Sequence, residues 1–116
     1  SQKAKLEEKT KNMKKLIITE RQNGDTIILS LQGDLVFGES QEFRQLIRHL
    51  LNEGQRKIFL DMKSVGYVDS SGIGELISSL TAINRKNGEL KLLNMPLRLR
   101  ELLKICKLLT IFDIED

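Results

Sequence analysis

Cysteine, proline and aromatic side chains are all scarce in this chain. Its 116 residues include one Cys, one Pro, one His, no Trp, one Tyr and four Phe. A lone cysteine, Cys106, closes no internal disulfide, which sets the chain apart from small disulfide-stapled domains and agrees with a reducing compartment. Aromatics make up only 4% of the residues, so the core must be built from Leu, Ile and Val. One histidine and one cysteine supply no zinc set, and no paired ligand spacing occurs elsewhere, so neither a metal nor a cofactor is expected. Long apolar runs are missing too. None approaches the roughly 20 residues a membrane-spanning helix needs. No apolar leader core follows Ser1. The expectation is a cytoplasmic protein with no membrane insertion.

The folded part of the chain lacks any surplus of positive charge. The formal net charge is +3. Residues 1–15 hold six Lys and two Glu, or +4, and the other 101 residues hold 13 basic and 14 acidic side chains, or −1. Basicity therefore sits in a tail and not on a folded face. No aromatic-flanked basic patch supports direct nucleic-acid binding. We expect residues 1–14 to be a Lys-rich, partly disordered extension, and residues 15–116 to be a single domain of a size that buries one modest core.

What is present reads as alternating strands and helices. Leu16-Ile17-Ile18-Thr19 is a first strand, and Asn23-Gly24-Asp25 is a hairpin turn signal. Thr26 to Leu31 is a second strand, ended by Gly33-Asp34. From Glu39 to Asn52, Phe43, Leu46, Ile47, Leu50 and Leu51 recur at helical spacing, with Gly54 as the stop. Lys57 to Asp61 is a short buried strand, and Ser64 to Val68 is a separate approach to the turn at Asp69. Ile73, Leu76, Ile77, Leu80 and Ile83 mark a second helix, closed by Asn87-Gly88. Leu90 to Leu93 is a fourth strand. Pro96 falls in the first turn of a third helix through Leu99, Leu102, Leu103 and Cys106. Ile111 to Ile114 is a last extended piece. The order β-β-α-β-α-β-α-β predicts an α/β domain with a mixed β-sheet, an opening hairpin and helices packed mainly on one face.

The segment Val65-Gly66-Tyr67-Val68-Asp69-Ser70-Ser71-Gly72-Ile73-Gly74 carries the most chemical information. An apolar run breaks into an acid, two hydroxyls and two glycines just where the second helix begins. A hydroxyl there is an ordinary N-cap, worth about 1 kcal/mol. It is also a favourable place for a phosphate, because first-turn N–H groups and the helix dipole attract anions. Catalytic alternatives fit poorly. A serine hydrolase lacks its Gly-x-Ser-x-Gly elbow, and His49 lies within the first helix pattern beside Leu50 and Leu51. Gly72-Ile73-Gly74 has no third glycine at Ile77 and no following Gly-Lys-Ser/Thr, which excludes a P-loop. Asp61 and Asp69 read as turn or cap formers.

These residues together resemble the STAS domain family, in particular the anti-sigma factor antagonists of bacterial partner-switching pathways. Asp69-Ser70-Ser71-Gly72 matches that signature, preceded by Phe59-Leu60-Asp61-Met62 and by Leu31-Gln32-Gly33-Asp34-Leu35. The likeness covers most of residues 15–115. It implies a binding module that is not an enzyme. Unphosphorylated, the module would hold an anti-sigma factor serine kinase and so regulate sigma-factor-dependent transcription. Phosphorylation of Ser70 would switch it off, and a serine phosphatase would reset it. Asp69, Ser71, Gly72, Gly74, Glu75 and Ser78 are the implied partner-binding residues, with Glu75, Ser78 and Ser79 expected on the exposed side of the helix. The chain departs from the family pattern at Val36, where an Asp is frequent. An alternative implied by the same family is a scaffold or interaction subunit of a stress-signalling or transport complex, with Ser70 never modified.

Overall fold

The structure, a computed structural model, describes residues 15–116; the expected N-terminal extension, residues 1–14, lies outside the described residues. The strands are β1 (Ile17–Asn23), β2 (Thr26–Leu35), β3 (Lys57–Val68), β4 (Glu89–Leu93) and β5 (Asp113–Glu115). The helices are α1 (Ser40–Asn52), α2 (Ser70–Arg85) and α3 (Leu97–Ile105), with a 3-10 turn at Leu109–Ile111. One five-stranded sheet runs in the order β1-β2-β3-β4-β5. β1 pairs antiparallel with β2, and every other pairing is parallel. The α/β class and the element order agree with the sequence expectation.

Side chains alternate across a strand, so the register shows which face is inside. Ile27, Ile58 and Leu90 lie side by side, as do Leu29, Leu60 and Leu92. All six are buried, at 4% exposure or less, and they join one core with Phe43 and Ile47 of α1, Leu76 and Ile83 of α2, and Leu99 and Leu103 of α3. The alternate row is Ile28, Phe59 and Lys91, and none of these belongs to that core. Lys91 Nζ instead sits 5.2 Å from the Phe59 ring centroid. Helix burial is thus concentrated on one face of the sheet.

Several boundaries differ from the sequence reading, each for a physical reason. The hairpin places Gly24 and Asp25 at the turn centre, between paired Asn23 and Thr26. β2 does not stop at Gly33. It runs on to Leu35, with Gly33 at φ +113°, where a side chain would meet the Lys15 carbonyl oxygen at 2.2 Å. β3 is one strand of twelve residues, not two pieces. Its register with β2 shifts twice, so that β3 carries one extra residue between Asp61 and Ser64 and another between Val65 and Val68. Each bulge frees an N–H, and a carboxylate takes it up. Asp61 Oδ1 accepts from Lys63 N at 3.2 Å, and Asp34 Oδ1 accepts from Tyr67 N at 3.0 Å. Pro96 is the residue before α3, not within it, and Cys106 is the exposed residue just past the end of the helix. The expected extended piece at Ile111 opens with the 3-10 turn and becomes strand only at Asp113.

Candidate functional site

The second bulge of β3 delivers Val68 to the foot of α2, and the chain turns there on Asp69. The N-cap is Asp69, not a serine hydroxyl: its Oδ1 accepts from Gly72 N at 2.9 Å. Its other oxygen accepts from Phe37 N at 3.1 Å. One carboxylate therefore ties the first turn of α2 to the loop between β2 and α1. Gly72 is buried against that loop's base, and a Cβ on it would stand 2.0 Å from the Leu35 carbonyl oxygen.

Ser70 is the first residue of α2 and is exposed. Its hydroxyl makes no hydrogen bond with a described residue. The N–H groups of Ser70 and Ser71 precede the first intrahelical bond, from Ile73 N to Asp69 O at 3.0 Å. They lie at the positive end of a sixteen-residue helix, where an N–H group has no intrahelical acceptor.

Beside Ser70 an open groove runs between α1 and α2. Ser71, Gly74 and Ser78 form one wall, and Phe37 and Ser40 stand opposite. At its floor Glu75 is buried, at 5% exposure, and takes a two-pronged contact from the half-exposed Arg44. Arg44 Nε lies 3.0 and 3.1 Å from the two Glu75 oxygens, and Nη2 also donates to Oε1. Hydrogen bonding to Glu75, then its charge, holds the Arg44 guanidinium yet more firmly protonated than usual. The sequence reading expects Glu75 and Ser79 on the exposed side of α2. Both are buried, and the Ser79 hydroxyl donates to the Glu75 carbonyl at 2.8 Å. The spacing places them on the line of Gly72, Leu76 and Ile83, which faces inward.

The structure thus gathers Asp69, Ser70, Ser71, Gly74 and Ser78 at one surface and places Gly72 and Glu75 beneath it. Sequence reasoning misses Asp34, Phe37 and Arg44. Arg44 and Glu75 are 31 positions apart, and Asp34 and Tyr67 are 33 apart, so no local pattern signals either contact. Phe37 comes directly after the buried Leu35-Val36 pair and would pass for part of the same apolar run. His49 is exposed and lies 3.8 Å from Glu53. No group of three metal-ligating side chains occurs among the described residues, and no described helix is long and apolar enough to cross a membrane.

Known proteins share this architecture. The anti-sigma-B factor antagonist of Bacillus subtilis is 29% identical over 94 residues, covering 81% of this chain and 85% of that protein. An anti-sigma factor antagonist from Mycobacterium paratuberculosis superposes with a TM-score of 0.76 at 13% identity, covering 86% of this chain and 85% of the other. The Bacillus cell fate determinant SpoIIAA in its phosphorylated form gives a TM-score of 0.70 at 19% identity, covering 86% and 91%; its unphosphorylated form gives the same TM-score. The STAS domain model matches residues 17–116, which takes in every strand, the Asp69 cap and the Ser70 turn, and the chain belongs to the STAS domain family.

Proposed function

We propose that this STAS domain is an anti-sigma factor antagonist switched by phosphorylation of Ser70. Unmodified, it binds an anti-sigma factor that is also a serine kinase and so frees the sigma factor. The kinase moves the γ-phosphoryl group of ATP to Ser70 Oγ. A new O–P bond forms, the bond from Pγ to the bridging oxygen breaks, ADP leaves, and the hydroxyl proton passes to a base on the kinase. A serine phosphatase restores the hydroxyl. The observation that carries this reading is the exposed Ser70 hydroxyl, without a hydrogen-bond partner among the described residues, on a turn pinned by Asp69 and Gly72. The relative's name and the two SpoIIAA forms support it.

Phosphorylation adds about −1.5 to −2 charge units next to the Asp69 carboxylate. First-turn N–H groups and the helix dipole can bear that charge, so the fold survives. The docking surface does not keep its complementarity, because a partner fitted to a neutral hydroxyl then meets like charge and a group that is costly to desolvate. Incubation with ATP and purified anti-sigma factor serine kinases, then phosphopeptide mapping, tests the reading. A phosphate on Ser70 that Ser70→Ala abolishes supports it. Tight binding with no phosphate on Ser70 favours the scaffold role and removes the switch.

A further inference from the structure

We infer that Phe37 is the apolar anchor by which the chain grips this same serine kinase, an inference that rests on the function proposed above. Among the described residues Phe37 is the most exposed large hydrophobic side chain, at 84%. Its backbone is nonetheless held from both sides. Its N–H is bonded to Asp69 Oδ2, and the next turn is closed by the Val36 carbonyl, which accepts from Glu39 N at 3.0 Å and Ser40 N at 3.2 Å. A ring on a backbone fixed in this way loses little freedom on docking, which favours affinity.

The same carboxylate that pins Phe37 also caps the helix that begins with Ser70. Anchor and acceptor hydroxyl are therefore fixed relative to each other. A specific protein partner covers about 800 Å² on each side. Any partner seated on Ser70 covers Phe37, one carboxylate away. The ring also borders the groove that Ser71 and Ser78 line. The occupant is a kinase with an apolar pocket beside its nucleotide site, which takes the ring while the hydroxyl reaches the γ-phosphate. Buried aromatic anchors of this kind carry most of the binding energy in protein interfaces. Asp69 acts here as a positioning residue.

The test uses the full chain and whichever anti-sigma factor serine kinase phosphorylates it, with affinity measured by calorimetry and Ser70 modification by steady-state kinetics. Phe37→Ala should weaken binding by roughly 30-fold or more and raise KM, with kcat and thermal midpoint unchanged. Phe37→Leu should recover part of the loss. Asp69→Asn leaves one acceptor oxygen for two N–H donors and turns an NH2 group toward the other, so the tie between the Phe37 loop and the Ser70 turn should loosen, their amides should exchange faster and KM should rise. Wild-type affinity and KM in Phe37→Ala would overturn the anchor and leave the Ser70 switch standing. A dimer of the chain alone that Phe37→Ala dissolves would also overturn it, by giving the ring to a second copy. If no kinase binds or modifies the wild-type chain, the proposed function falls and the anchor with it.

Discussion

Three consecutive residues, Asp69, Ser70 and Ser71, are all good N-caps, and local chemistry does not rank them. The long-range contact does. Only Asp69 has a second oxygen to give to Phe37 N–H, so it takes the cap and leaves Ser70 exposed. The motif and its acceptor are legible in the sequence for this reason, while the assignment of the cap is not. Gly72 shows the same dependence on distant partners. Alanine is intrinsically better than glycine in a helix by up to about 1 kcal/mol. At this position its Cβ would meet the Leu35 carbonyl oxygen at 2.0 Å and Val68 Cγ1 at 2.8 Å. A backbone carbonyl cannot rotate away, so the overpacking cost of about 1–3 kcal/mol wins. Gly72→Ala should lower the urea midpoint with little change in m-value. A higher midpoint would show that the loop yields and that the close approach is dispensable.

At the scale of elements, the helices are easier to read than the strands. Phe43, Ile47, Leu50 and Leu51 give α1 its inward stripe without outside help. β3 reads as two pieces because Lys63 and Ser64 break the alternation, and the break is a bulge whose N–H is taken by Asp61. α1 and α2 are joined across the groove by Arg44 and Glu75, a pair whose partners are unequal. Glu75 is buried and Arg44 is half exposed. Losing Arg44 strands a carboxylate in the interior, whereas losing the charge on Glu75 leaves a guanidinium that water can solvate. Arg44→Ala should therefore lower the urea midpoint, and adding Glu75→Gln to that variant should restore part of the loss. No restoration would mean that Arg44 contributes through packing alone. The sign of the Arg44 shift also sets its pH behaviour. A cation with a raised pKa contributes stability below its ordinary value and loses it only as pH climbs through the raised one. Deprotonation of Arg44 therefore puts no step in stability at physiological pH.

For the molecule as a whole, the central row of β2, β3 and β4 bears the core. Leu60 is fully buried between Leu29 and Leu92. Leu60→Ala removes that packing and should cost about 2–5 kcal/mol. In a domain of about 100 residues, each kcal/mol moves the thermal midpoint by roughly 4–8 °C. A drop of less than about 5 °C in a calorimetric scan would show that the core recloses around the gap. The architecture is legible because the hairpin signal and the strand-helix alternation are both local in sequence. The sheet order has a consequence for biosynthesis. Every strand lies beside the one made just before it, and no slot waits for a strand still to come. A nascent chain leaving the ribosome can therefore extend the sheet from one edge, strand by strand, without reopening a pairing already made.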